Sequence, residues 1–261
     1  MTGIQLSIRP HPMSNYIAIH GFWGSGTDFT YIDKYVSFPL STIDLLGFGD
    51  SPVSKQIEDY SVDSQCELLN RQLPPCHIIS YSMGARLALQ YTIRFPHKVK
   101  SLICIGVNPG IENSLEREQR RQWDRSWANR FSQPEKMKEN IEAWSNMPLL
   151  KSLSQTTVWS EIVTRRERQS HIGLQNSMLA FGTGTMPSCW EQLNSITSPT
   201  LLVHGEYDVK YMYIHQRMKM QNKQFALKQI PMVGHAPHIE APQRTADAIQ
   251  NWYHDINSEL T

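Results

Sequence analysis

Cysteine is scarce in this chain and scattered: Cys66, Cys76, Cys104 and Cys189 are the four among 261 residues, and no C-x-x-C spacing occurs. Neither a disulfide framework nor a zinc site fits that usage, and free thiols in a reducing cytosol are expected. An excess of one charge is lacking as well. With 25 Lys+Arg against 24 Asp+Glu, the net charge is +1, so there is no overall field with which to gather phosphates, and a nucleic-acid partner is not expected. Long apolar runs are missing. The stretch 102–107, broken at Gly106, is far below the ~18 residues that a membrane span needs. The opening residues, 1–10, carry no apolar run behind a basic start, and Pro10 and Pro12 would break one. A soluble cytoplasmic protein without a secretion signal or membrane insertion is expected. Internal repeats, low-complexity segments and the phosphate-binding G-x-x-x-x-G-K-[ST] pattern are also absent, the last excluding a P-loop.

What remains is a chain that is 40% hydrophobic, long enough for one sizeable core or for a core with an inserted subdomain. Short apolar runs bounded by Gly, Pro and Asn at 16–19, 41–45, 77–79 and 101–105 read as buried strands. Between Tyr81 and Pro96 the spacing of Met83, Leu87, Leu89 and Tyr91 becomes helical. Such quick alternation predicts βαβ units and a parallel sheet with helices on both faces. From about Gly110 to Gly182 the texture is charge-rich and helical, with segments at 112–131, 134–144 and 158–169 and no convincing strand. Strands resume at 200–205 and 225–230, and a helix is expected over 244–256. The predicted organisation is an α/β core over 1–109 and 183–261, interrupted by a helical cap over 110–182.

At Ser80-Tyr81-Ser82-Met83-Gly84 a predicted strand passes into a predicted helix, with small residues two places on either side of Ser82. That is the layout of a nucleophile elbow, G-x-S-x-G, with Ser80 in place of the first glycine. Taken alone the pentapeptide also fits an ordinary serine-rich strand–helix junction. Asp208 follows a later strand, and His235 follows the last one in Pro231-Met232-Val233-Gly234-His235. Ser82 needs an imidazole to take its proton, and the imidazole needs a carboxylate to fix its tautomer. Ser82, His235 and Asp208 are therefore the candidate catalytic triad. His204, inside a strand, reads as a packed core residue, and His238 lies one helical turn beyond His235. The run His20-Gly21-Phe22-Trp23-Gly24-Ser25-Gly26 after the first strand would bring backbone amides close to a ligand. Phe22 and Met83 are the candidate oxyanion-hole donors, although the run also fits a plain glycine-rich turn. These elements in this order predict an α/β-hydrolase fold, a mostly parallel sheet flanked by helices with an inserted helical cap.

Eight of the fourteen arginines (Arg117, Arg120, Arg121, Arg125, Arg130, Arg165, Arg166, Arg168) lie in the helical stretch, together with Trp123, Trp127, Trp144 and Trp159. Arginines facing inward would predict a substrate with several carboxylates, while most are expected on solvated faces beside Glu116, Glu118, Asp124 and Glu167. Arg86 sits four residues after Ser82, one turn along the elbow helix. The stretches His20 to Gly26, Tyr81-Ser82-Met83-Gly84-Ala85-Arg86, Asn108-Pro109-Gly110, 117–127, Gly182-Thr183-Gly184 with Pro187 and Trp190, and Gly205-Glu206-Tyr207-Asp208-Val209-Lys210 together resemble the 2-succinyl-6-hydroxy-2,4-cyclohexadiene-1-carboxylate (SHCHC) synthases of menaquinone biosynthesis. The resemblance spans almost the whole chain. It departs from the family at Ser80, at Ala85 and at Leu46-Gly47-Phe48-Gly49, where the family usually reads Pro-Gly-His-Gly.

The resemblance implies a cofactor-free carbon–oxygen lyase that acts on a small tricarboxylate. In the implied reaction the Ser82–His235–Asp208 system removes a proton beside the succinyl carbonyl and pyruvate is eliminated. It also implies substrate contacts from His20, Tyr81, Arg86, Arg120, Trp144 and Arg168, with Arg165 and Arg166 close enough in sequence to exchange places with Arg168. No metal is implied, and a monomer is expected. The alternative is a serine hydrolase (esterase, thioesterase or C–C hydrolase) acting on a small carboxylated substrate. A binding protein with an unused triad is disfavoured, because all three triad positions hold competent residues.

Overall fold

A computed structural model describes residues 3–12 and 14–258; Met1 and Thr2, part of the stretch read for a leader, lie outside it. Seven strands run in chain order: β1 (Ser7–Arg9), β2 (Tyr16–Ile19), β3 (Leu40–Asp44), β4 (Cys76–Tyr81), β5 (Val99–Ile105), β6 (Thr200–Gly205) and β7 (Ala226–Ile230). They form one sheet in the order β1-β3-β2-β4-β5-β6-β7. Only β1 is antiparallel, pairing with β3 through Ile8 opposite Ile43; every other neighbour pair is parallel. The helices are α1 (Thr30–Asp33), α2 (Val62–Gln72), α3 (Met83–Arg94), α4 (Ser114–Phe131), α5 (Met137–Ser145), α6 (Trp159–Glu167), α7 (His171–Phe181), α8 (Val209–Gln221), α9 (Pro237–Glu240) and α10 (Pro242–Ser258).

A parallel strand buried on both faces must be apolar at every position, and alternate residues must feed separate cores. Ile17, Ile19, Ile78, Leu102, Cys104 and Leu202 belong to the core shared with α2, α3, α4 and α7. Ala18, Ile79, Ile103, Ile105, Leu201 and Val203 point the other way, into the core closed by Ile249, Trp252 and Tyr253 of α10. This is why the sequence shows continuous apolar runs instead of alternation.

Among the described residues, the chain between β5 and β6 carries α4 to α7 and no strand. Helix α4 packs along α7 and α5 against α6. The α4–α7 contact explains Gly182-Thr183-Gly184: a Cβ on Gly184 would lie 2.5 Å from the Arg121 amide, and one on Gly182 2.4 Å from the Asp124 carboxylate. Asp124 Oδ2 instead accepts the Gly184 amide at 3.0 Å. Two elements have no clear sequence signal. Strand β1 is only three residues long. Helix α7 is apolar nearly all round (Ile172, Leu174, Met178, Leu179, Phe181), as befits a buried helix, and its Gly173 abuts the Gly47 backbone, with a Cβ there falling 2.1 Å from that carbonyl oxygen. No helix among the described residues is long and apolar enough to cross a membrane.

Candidate active site

Strand β4 delivers Ser82 into a turn with φ 50° and ψ −107°, a backbone state that costs a non-glycine residue of the order of 1–3 kcal/mol and survives only where the surroundings enforce it. They do so here from both sides. The Ser82 amide donates to the Ile105 carbonyl at 2.8 Å, and α3 starts at the next residue. Gly84 must be glycine, since a Cβ there would stand 2.3 Å from the His20 carbonyl oxygen and 2.6 Å from that of Ile19. Ser80 is tolerated in place of the first glycine because its hydroxyl donates to the Ile103 carbonyl at 2.8 Å.

His235 Nε2 lies 3.1 Å from Ser82 Oγ, and His235 Nδ1 lies 2.6 Å from Asp208 Oδ2. Both the imidazole and the carboxylate are buried. Asp208 caps the N-terminus of α8, its Oδ1 accepting the Tyr211 amide at 3.4 Å. The carboxylate accepts Nδ1–H and so leaves the Nε2 lone pair facing the serine hydroxyl. The imidazole is seated against the Tyr211 ring, 4.5 Å between centroids, and over Gly106, where φ is +62° and a Cβ would meet the ring at 2.6 Å. The three candidate triad residues thus come together from the ends of β4, β6 and β7.

The Met83 amide opens α3 and has no intrahelical acceptor; Phe22 lies in the loop that follows β2 and borders the same cavity as Ser82 and Met83. His20 does something other than line the site. Fully buried, it accepts the Leu45 amide on Nε2 at 3.0 Å and donates from Nδ1 to the Gly21 carbonyl at 2.7 Å. Burial lowers its pKa, which keeps the ring neutral, as that pairing requires. His20 lines neither chamber at Ser82; it pins the loop that carries Phe22, and its place among the substrate contacts is corrected to that extent.

Ser82 opens on two chambers that share Phe22, Trp144, Leu149 and Leu150. The first, about 70 Å³, is bounded by Tyr81, His235, Ile162, Arg165 and Arg166. The second, about 190 Å³, is bounded by Met83, Arg86, Arg120, Trp123, Lys210 and Tyr211. Arg86 donates to the Phe181 carbonyl at 3.0 Å and Met186 Sδ at 3.1 Å. Burial, with Arg120 nearby, lowers its pKa to about 10. Arg120 donates from Nε to Asp124 Oδ1 at 2.7 Å and lies over the Trp123 ring at 4.5 Å. Trp144 is wedged between Phe22 and Trp127, at 5.0 and 4.8 Å.

Arg168 is the clear miss. It is exposed, at the C-terminal end of α6, and borders neither chamber. Arg166 takes the inward position, 6% exposed, its pKa lowered to about 10 by burial. It faces the Trp23 and Trp159 rings at 5.8 and 5.3 Å; among the described residues no carboxylate is within ion-pair reach and its Nε is unpartnered. Arg165 borders the same chamber but is already paired there, with Asp28 Oδ1 at 2.9 Å. The missed signal was helical phase: Ile162 and Arg166 are four apart, so the face that buries the isoleucine buries the arginine. Lys210 and Tyr211 also face the second chamber, and no sequence pattern singled them out for binding. Among the described residues no group of three or more His, Cys, Asp or Glu is placed to hold a metal ion.

A family model for the alpha/beta hydrolase fold matches residues 17–242. A Bacillus subtilis protein provisionally named as an SHCHC synthase is 31% identical over 242 residues, 90% of this chain and 88% of the relative. The SHCHC synthase of Photorhabdus laumondii is 28% identical over 248 residues, 92% of this chain and 86% of that enzyme. Among solved structures, MenH from S. aureus superposes with a TM-score of 0.88 at 28% identity, covering 98% and 99% of the two chains. A thermophilic esterase from Thermogutta terrifontis shares the fold at a TM-score of 0.77 and 20% identity.

Proposed function

The chain belongs to the alpha/beta hydrolase fold and, within it, to the SHCHC synthase family, and from that membership we propose that it eliminates pyruvate from 2-succinyl-5-enolpyruvyl-6-hydroxy-3-cyclohexene-1-carboxylate, the SHCHC-forming step of menaquinone biosynthesis. The observation that carries this reading is a complete Ser82–His235–Asp208 relay at the junction of two chambers whose guanidinium groups, Arg166 on one side and Arg86 on the other, lack carboxylate partners among the described residues. Unpaired buried guanidinium is costly unless an anion completes it. A tricarboxylate supplies that anion on both sides of the serine.

Bond by bond the reaction is a lyase step. Ser82 Oγ, losing its proton to His235 Nε2, takes the proton from the ring carbon that bears the succinyl ketone. The C–H electron pair becomes a ring double bond, the existing ring double bond shifts by one position, and the carbon–oxygen bond to the enolpyruvyl group breaks. Enolpyruvate leaves and gains a proton on carbon to become pyruvate; the diene of the product name results. Charge builds on the ketone oxygen as the proton departs, and the Phe22 and Met83 amides stabilise it as they would the oxyanion of an ester. Arg86 and Arg120 hold carboxylates in the larger chamber, Arg166 holds one in the smaller, and Tyr81 and Trp144 wall the ring. In this reading 110–182 acts as a cap that covers the serine, and 1–109 with 183–261 forms the catalytic core.

Pyruvate release from the enzymatically generated enolpyruvyl tricarboxylate, read by a coupled assay on wild type and Ser82→Ala, tests the assignment. Rapid release in wild type and a loss of at least 10³-fold in the variant are expected. A folded wild-type chain that releases no pyruvate would refute it.

A further inference from the structure

The larger chamber continues outward. Four of its lining residues, Arg120, Thr183, Lys210 and Tyr211, also border an outer vestibule of about 450 Å³, whose rim holds Glu112 and Arg217. The smaller chamber shares none of its lining with that vestibule. The four residues are therefore a neck, and the neck carries more hydrogen-bond donors than the protein uses. Among the described residues Arg120 has a carboxylate only on Nε, from Asp124. The Lys210 ammonium, exposed to the vestibule, has no hydrogen-bond or ion-pair partner among the described residues, and neither does the Tyr211 hydroxyl. On the rim, Arg217 is paired with Glu112 at 2.6 Å, so that charge is already neutralised.

Lys210 is also badly placed for the fold. It is the second residue of α8, where the Asp208 cap is the one acidic group at the helix start and the first turn has none, so its cation adds to the positive end of the helix dipole. Desolvation, and after it the like charge of Arg120, lowers the Lys210 pKa, with Asp208 opposing the shift. A bound anion would relieve both repulsions at once. The size of the neck and its single set of donors suit a small monocarboxylate, and the reaction proposed above releases one beside it.

Resting on that reaction, we propose that Lys210, Arg120 and the Tyr211 hydroxyl form a carboxylate subsite for the departing pyruvate, and that the vestibule is its route out. Lysine and arginine supply charge, and the phenol adds a neutral donor near the reacting centre, since its ring lies against His235.

Pyruvate itself, titrated into the full-length protein and followed by ligand-observed NMR, tests this without turnover, with pyruvamide as the uncharged counterpart. Wild type should bind pyruvate saturably and better than pyruvamide. Lys210→Met should weaken pyruvate by about tenfold, the loss of one charge-assisted bond. Lys210→Arg should restore most of it, and Tyr211→Phe should weaken it by about threefold. Exposed Lys223→Met should change nothing, and melting curves identify any variant that has not folded. Wild type without saturable pyruvate binding, or Lys210→Met binding pyruvate as wild type does, would overturn the subsite. Saturable, Lys210-dependent binding of pyruvate by a protein that cannot release it from the enolpyruvyl substrate would leave the subsite standing and overturn the reaction.

Discussion

Arg166→Met should make the unliganded protein more stable while disabling it. Burial lowers the Arg166 pKa from 12.5 to about 10, which corresponds to roughly 3 kcal/mol of unfavourable free energy for holding the charged form inside the fold. The two indole faces, at 5.8 and 5.3 Å, return about 1 kcal/mol or somewhat more. Ser145 Oγ is a marginal partner at 3.4 Å, and Nε has none. Methionine keeps the unbranched stem and removes both the charge and the unmatched donor. The Trp23 indole bond to the Arg166 backbone carbonyl, 3.1 Å, survives any side-chain change. The net expectation is a gain of about 1–2 kcal/mol, or roughly 2–8 °C in melting temperature for a chain of this size. Thermal unfolding by circular dichroism, paired with pyruvate-release kinetics, reads both sides. kcat/KM should fall by about 10²-fold or more, the loss of a buried charge-assisted carboxylate contact. A variant that melts below wild type and retains full turnover would refute the reasoning, because Arg166 would then be a structural residue satisfied by the protein.

Two further outcomes follow from groups packed around the triad. Gly106→Ala places a methyl 2.6 Å from His235 Cε1 at a position with φ +62°; the displaced ring should lose its 3.1 Å approach to Ser82 and with it about 10²-fold or more in kcat, for a stability loss near 1–2 kcal/mol. Turnover within twofold of wild type would contradict that. His238 is fully buried with both ring nitrogens unpartnered among the described residues, stacked on Phe29 at 5.0 Å and against the tilted Tyr81 ring at 4.4 Å, and burial lowers its pKa to about 3. The unfolded chain binds that proton near pH 6.5 and the folded one does not, so stability is full above that pH and falls as pH drops toward 3. His238→Phe should flatten the fall in this window by about 1.4 kcal/mol per pH unit in urea titrations, whereas an unchanged slope would show that His238 protonates without penalty.

The parts of the site that were legible in the sequence are those whose geometry is local. Ser82, Gly84 and the strand-to-helix change lie within one turn of chain. Asp208 and His235 each follow directly on a recognisable strand, and the common direction of parallel strands brings their ends together. What stayed hidden depends on contacts between distant segments or on helical phase. His20 stands in the loop where a ligand contact is expected, yet its nitrogens are taken by Gly21 and by Leu45, and nothing near residue 20 reveals the second partner. Arg165, Arg166 and Arg168 are chemically alike; only the pairing of Arg165 with Asp28, 137 positions away, and the packing of Ile162 decide which of them stands in the smaller chamber without a carboxylate. Strand β1 is too short to carry a periodic pattern, and α7 is apolar on too many sides to show a stripe.

That division has a chemical counterpart. The candidate triad lies at the sheet ends, and the same fold at 20% identity serves an esterase. A base beside an oxyanion hole is equally able to attack a carbonyl or to remove a proton next to one. The choice lies in what can be held at Ser82. Arg86 comes from the elbow helix itself, whereas Arg120 and Arg166 come from the helical segment between β5 and β6; Arg120 is paired with Asp124, while Arg86 and Arg166 have no ion-pair partner among the described residues. Burying those two guanidinium groups opposes their charge, and an anion that reaches both chambers would relieve it. In the proposed reaction the residues least comfortable in the fold are the ones that meet the substrate's carboxylates, and any stability gained by removing Arg166 measures how far the empty site is strained toward a polyanionic guest.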